Sequence, residues 1–260
     1  MRFAHLSDMH LLERATAVAG RGLGVRFVSL GRRLDAEDRL EKARAAIAHA
    51  RAVGAEHFLF TGDLTETGAL GQFEVLAELL AECTLSGDDV TLLPGNHDAY
   101  ATPTAWRDAI EGPLRPWARN AAADPGKVVE LAGAFVLPVD ATFHQPVTRS
   151  AARFTDEIES ALAARLTDPL LAKSRVVVAI HHPPHPRPGP WHWVDGLLGG
   201  KRLLALIENA PNVIVAHGHL HKPIDRAHGA SRVVGAAATV DGAMPEVFGE
   251  ATERARELVA

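Results

Sequence analysis

Apolar residues in this chain gather in short runs, and five of the runs end alike. Phe3-Ala4-His5-Leu6 leads to Ser7-Asp8-Met9-His10, and Phe58-Leu59-Phe60 leads to Thr61-Gly62-Asp63. The run 90–93 enters Pro94-Gly95 and then Asn96-His97-Asp98. Residues 176–180 lead to His181-His182-Pro183-Pro184, and 213–215 lead to Ala216-His217-Gly218-His219-Leu220-His221. Short apolar runs closed by turn residues predict buried strands. Between them lie stretches of helical period at 36–53, after the N-cap candidate Asp35 and before Gly54, and at 69–83, 155–166 and 201–208, with a shorter one at 103–110. This β-α-β-α-β order predicts parallel strands joined by helical crossovers.

The remaining pattern is weaker. Residues 113–127 read as irregular. Residues 128–131 and 134–138 form a candidate antiparallel pair about Gly133, and 224–228 with 232–234 a hairpin about Gly229. The segment 245–260 is charged, alanine-containing and helical in pattern. A helix there would pack on a sheet edge, mediate a homodimer or fray.

An Asp after one strand is ordinarily a helix cap. Five runs that all deliver Asp, Asn or His are poorly explained as caps, and the C-terminal ends of strands are where open α/β sheets bind ligands. Asp8 and His10 are two apart, so in extended geometry they share a face and can grip one metal ion. The chain has 14 histidines, and eight of them fall between His181 and His228. That density favours metal or proton chemistry.

Composition narrows the reading. With 260 residues and 47% apolar content the chain is long enough for one large domain, 1–260, with a sizeable core. It shows neither a continuous apolar stretch of about 18 residues nor a basic-apolar start, so the expectation is no membrane span and no signal peptide. Cys83 is the single cysteine, which excludes an internal disulfide and a cysteine-based metal site. A cytoplasmic location is the simplest expectation. The net charge of −5 argues against general nucleic-acid binding. A basic insert at 12–34 stands apart: from Arg14 to Arg33 there are five arginines and no acid. It reads either as a flap drawn to anionic substrate or a membrane surface, or as a loop of solvated arginines.

The set DMH, GDL, GNHD, HH and GHLH, in this order and spacing over 1–223, resembles the calcineurin-like metallophosphoesterase family, within it most closely the bacterial class III cyclic-nucleotide phosphodiesterase-like group. The resemblance implies a four-layer α/β/β/α sandwich with two mixed sheets and a metal site at the strand C-terminal ends. It implies two ions per chain. Asp8, His10 and His221 would hold one, Asn96, His181 and His219 the other, and Asp63 would bridge them. A charge count agrees: two divalent ions against the anionic ligands Asp8 and Asp63 leave a site of about +2, suited to phosphate oxygens. Mixed nitrogen and oxygen donors without thiolate suit manganese, iron, zinc or cobalt.

By the same resemblance His97 faces the substrate as general acid, with Asp98 orienting its ring or simply stabilising the turn. His182 contacts phosphate or packs, and His217 supports a ligand or packs. Trp191 and Trp193, in the proline-rich stretch 185–194, wall a substrate pocket or pack on the body of their own loop. The implied function is binuclear phosphoester hydrolysis of a small ester, first a phosphodiester such as a cyclic nucleotide. The alternatives are a phosphomonoesterase, a lipid pyrophosphohydrolase and, in a different class, a non-catalytic scaffold on the same fold.

Overall fold

The computed structural model describes residues 1–13, 29 and 32–249. Three strands and three helices build the first half: β1 (Arg2–Leu6), α1 (Ala36–Ala52), β2 (His57–Thr61), α2 (Leu70–Glu82), β3 (Val90–Leu93) and α3 (Ala105–Glu111). The second half runs β4 (Val129–Leu131), β5 (Ala134–Val139), β6 (Ala152–Arg153), α4 (Asp156–Leu166), β7 (Arg175–Ile180), α5 (Trp191–Asp195), β8 (Leu197–Leu198), α6 (Gly200–Ile207), β9 (Val213–His217), β10 (Ile224–His228), β11 (Ser231–Gly235) and β12 (Glu246–Gly249).

Two mixed sheets result, ordered β12-β1-β2-β3 and β10-β11-β9-β7-β5-β4. In the first sheet β1, β2 and β3 are parallel, and in the second β5, β7, β9 and β11 are parallel. The alternation of side chains along each strand divides the apolar residues among three layers of core. Ala4, Leu6, Phe58 and Phe60 face outward onto α1, α2 and α3. Val176, Val178 and Ile180 face outward onto α4 and α6. Phe3, Leu59, Val177, Ala179 and Ile214 point between the sheets and pack against one another. This is the four-layer α/β/β/α sandwich, and it sets the C-terminal ends of both groups of parallel strands side by side.

The described part of the segment 245–260 departs from the helical pattern. Glu246–Gly249 is a strand, antiparallel to β1, with Phe248 opposite Phe3 and the two rings stacked 5.3 Å apart. The backbone of β1 offers an open edge to pair with, and Phe248 gains burial between the sheets. Those long-range terms outweigh the local helical pattern. Residues 250–260 lie outside the described residues, as does the insert at 14–28, 30 and 31.

Candidate metal centre

The sharp turns after the strands hold the polar side chains in place. Among the described residues six that are not glycine have positive φ, and five of them are Asp8, His10, Asp63, His219 and His221. Left-handed backbone is costly for such residues and persists only where surrounding bonds enforce it. Those bonds are present. Asp8 N donates to Gly62 O (3.0 Å), His10 N to Asp63 O (2.9 Å) and His219 N to Asp8 Oδ2 (3.1 Å). Gly95 lets the third turn close on the second: a Cβ there would collide with the Asp63 carboxylate and backbone nitrogen.

The imidazoles of His181, His219 and His221 are each anchored on one nitrogen and aim the other inward. His181 Nδ1 donates to Thr61 O (2.7 Å), leaving Nε2 3.3 Å from Asp63 Oδ2. His221 Nδ1 is held by Asp241 Oδ2 (3.0 Å), with Nε2 3.4 Å from Asp8 Oδ1. His219 Nε2 donates to Asp195 O (3.0 Å), which frees Nδ1. His10 has Nδ1 3.5 Å from Glu66 Oε2 and Nε2 3.8 Å from Asp63 Oδ2. Asn96 Nδ2 donates to Tyr100 Oη (3.0 Å), so its amide oxygen faces the cluster. One ring nitrogen on a protein acceptor and the other on the ion is the usual arrangement of metal-binding histidine.

The donor set fits a pair of ions. Asp8 Oδ1, Asn96 Oδ1, His181 Nε2 and both ring nitrogens of His10 are buried without a hydrogen-bond partner. Buried polar atoms are rarely left so, and here they converge. Asp8, His10 and His221 can bring donor atoms within 4.8 Å of one another, as can Asp8, Asp63 and His181.

Electrostatics point the same way. Burial pushes the Asp63 carboxyl up, yet the charges of His181, His97 and His10 hold it well below the usual carboxylate range. Burial opposes a proton on His181, but Asp63 outweighs it and raises that imidazole to about 9. His219 is pushed down to about 3, first by burial and then by His181. The pocket therefore favours a positive charge beside Asp63 and beside Asp8, where His221 is raised despite its burial, and keeps His10 and His219 neutral, which is the state a metal ligand needs.

The family model described as calcineurin-like phosphoesterase matches residues 1–223. The chain belongs to the calcineurin-like phosphoesterase family. No curated protein matches it closely enough to add to this. Among solved structures, a dimetal phosphatase of Danio rerio superposes with a TM-score of 0.67 at 15% identity, covering 92% of this chain and 88% of that one. A protein of Thermus thermophilus gives 0.57 at 13% identity, covering 95% and 98%. The phosphopantetheinyl hydrolase of Mycobacterium tuberculosis gives 0.55 at 12% identity, covering 91% and 89%. These likenesses show the fold.

In this phosphoesterase a cavity of about 510 Å³ opens in front of the centre. Asp63, Asn96, His97, His219 and His221 lie in its wall, together with Tyr100, Arg149, Arg187, Trp191 and Lys222. His97 lies in the cavity wall. Its Nδ1 donates to Glu66 O (2.8 Å), and its Nε2 lies 3.9 Å from Asp63 Oδ2. Trp191 lines the cavity and is 61% exposed. Trp193 does not line it; its ring lies under the guanidinium of Arg149.

At three residues the structure favours one of the two readings left open. Asp98 does not orient His97. Its carboxylate accepts from Leu64 N, Thr65 N, Thr65 Oγ1 and Gly95 N at 2.7–3.0 Å, clamping the second turn to the third. His182 does not reach the cavity: it is fully buried, stacked on His219 with ring centroids 4.1 Å apart, and it donates from Nε2 to Ser150 O. His217 is buried at the end of β9 with Nδ1 on Gly218 O, as a packed strand residue.

Several functional neighbours escaped the sequence reading. Glu66 holds His97 through its carbonyl and faces His10 through its carboxylate, which is itself gripped by Arg39 and by Ser29 Oγ (2.7 Å). Arg39 also donates to His10 O (2.6 Å). Tyr100, Asp195 and Asp241 each anchor a candidate ligand. Only Glu66 had a local signal, an acid three positions after Asp63. From the basic insert, Arg32 reaches the cavity wall. No helix among the described residues is long and apolar enough to cross a membrane.

Proposed function

We propose that this phosphoesterase hydrolyses small phosphodiesters, cyclic or linear, at a centre of two ions held by Asp8, His10, His221, Asn96, His181 and His219 with Asp63 between them. The observation that supports it best is the convergence of buried, unpartnered donor atoms from both sheets beneath one open cavity. When bound, such ions activate a water and neutralise charge on the phosphoryl group; manganese, iron and zinc all suit these donors.

The chain's own residues do the rest. His97, anchored on Glu66 O, keeps Nε2 at the cavity wall, where it can protonate the departing ester oxygen. Asp98 keeps the second and third turns in register, so that Asp63 and His97 stay in fixed relation. The cavity is far larger than a phosphoryl group and has room for the organic arm of an ester beside Trp191.

The test is a screen of the protein reconstituted in turn with manganese, iron and zinc against phosphomonoesters, linear diesters, cyclic nucleotides and nucleotide-lipid diphosphates. Turnover of diesters in preference to monoesters is the expected result. A preference for monoesters overturns the diesterase reading, and two bound ions with no turnover of any ester turns the case toward a scaffold.

A further inference from the structure

The cavity wall carries more positive charge than one phosphoryl group requires, and that charge is not uniformly engaged. Arg187 has its guanidinium filled by Asp195, with Nε to Oδ1 at 3.2 Å and Nη2 to Oδ2 at 2.8 Å. Arg149 differs. Its Nε donates to Trp193 O (3.0 Å), and its guanidinium lies 4.2 Å from the centroid of the Trp193 ring and 5.3 Å from that of Phe143. Those contacts fix the base of the group and leave both terminal nitrogens as a rigid fork, a shape that matches phosphate or carboxylate. Among the described residues no carboxylate pairs with it.

The position of this fork is coupled to the metal centre. Arg149 O accepts from Tyr100 Oη (3.1 Å), which accepts in turn from Asn96 Nδ2. The next carbonyl, Ser150 O, accepts from His182 Nε2. The backbone carrying Arg149 is thus tied to a ligand from the first sheet and to the histidine beside a ligand from the second. Lys222, directly after His221, lines the same cavity, exposed and likewise without a carboxylate partner among the described residues.

We propose that Arg149, assisted by Lys222, forms a subsite for a second anionic group, a phosphate or carboxylate on the organic arm of the substrate. The proposal rests on the phosphoester reading above and narrows it. The scissile phosphoryl group is matched by the metal centre, whereas a cation held on aromatic rings at the cavity wall is matched only by a further negative charge. Diesters with an additional acidic group are then preferred over simple cyclic mononucleotides, which carry one.

Non-hydrolysable probes test this by calorimetry on the manganese-loaded protein. They are propylphosphonate, its analogue with a second phosphonate at the far end of the chain, and its analogue with a carboxylate there. Wild type should bind at least one dianionic-ended probe about tenfold or more tightly than propylphosphonate. Whichever ended probe is preferred identifies the second group as phosphate or carboxylate. Arg149→Ala should bring that ratio close to one, and Lys222→Ala should reduce it less. Metal content, measured alongside, verifies that each variant retains its centre. A ratio unchanged in Arg149→Ala overturns the proposal, as does wild type that binds all three probes equally. Wild type that holds two ions and binds none of the phosphonates instead defeats the phosphoester reading itself.

Discussion

His57 and His181 are both buried histidines, one at the start of a parallel strand and one just past the end of another, and they lie at opposite ends of the chemistry. His57 opens β2, with Nε2 on Thr91 Oγ1 (2.9 Å) and its ring edge-on to Phe3. Burial lowers it to about 4, with only weak opposition from the backbone of Asp88 and the charge of Asp89. His181 follows β7, and the Asp63 carboxylate reverses the effect of burial and raises it to about 9. Burial alone makes an imidazole neutral. A buried carboxylate shared among several rings makes the same group hold a positive charge, which an ion can supply in place of the proton. The N-terminal and C-terminal ends of the strands therefore use one residue type for two purposes, and the comparison can be broken experimentally.

The largest effect is expected at the residue that creates the difference. Asp63→Ala removes the carboxylate facing His10, His97 and His181, so both ions should be lost together and turnover should fall on the order of 10³-fold or more. Elemental analysis after reconstitution reads this directly; a variant that retains two ions would show that Asp63 does not bridge them.

His97 and Asn96 come next, because they are adjacent yet anchored differently. Asn96→Ala should lower the occupancy of one ion. His97→Ala should retain both and cut turnover by about 10²–10⁴-fold, most for esters with poor leaving groups. Metal content and turnover on an alkyl and an activated aryl ester separate the roles. Loss of metal in His97→Ala would make it a ligand, and equal slowing of both esters would remove the general acid.

Glu66→Gln should have a smaller effect. It retains the carbonyl that holds His97 but weakens the carboxylate that faces His10, so affinity for the ion on Asp8, His10 and His221 should fall by about 10–100-fold. Competition with a chelator measures it. An unchanged affinity would reduce Glu66 to the buried partner of Arg39.

The outcome also marks how far the sequence could be read. The runs ending at Asp8, Asp63, Asn96, His181 and His219 were legible because each strand and its turn are local, and the turn residues follow the strand within a few positions. The helix after Asp35 was legible for the same reason, and Asp35 does accept from Asp38 N (3.1 Å). Asp98 was left between two roles because, apart from Gly95, its partners Leu64 and Thr65 lie more than thirty positions away. Tyr100 to Arg149, His219 to Asp195 and His221 to Asp241 are likewise bonds between distant segments, and no spacing rule reveals them. β12 was missed because a strand of four residues owes its existence to the edge of β1 rather than to its own pattern.

The smallest effect on the centre, and the sharpest control for the comparison, is expected at His57. His57→Gln can still reach Thr91 by hydrogen bond and lies away from the cavity, so both ions and turnover should be retained. Its consequence is for stability. The folded-state value of about 4 lies below the ordinary value of 6.5, so the unfolded chain takes up the proton first as pH falls. The contribution of neutral His57 is therefore fully present above about pH 6.5, is lost progressively as pH falls toward 4, and changes no further below that. The span corresponds to about 3 kcal/mol. Other groups titrate over the same interval, so the informative quantity is the difference between wild type and His57→Gln in denaturant unfolding at about pH 7, 5.5 and 4, with a chelator present for both. Wild type should lose more stability than the variant across that range. Parallel losses would mean that His57 is protonated as easily in the fold as outside it, and the contrast with His181 would then rest on Asp63 alone rather than on burial opposed by Asp63.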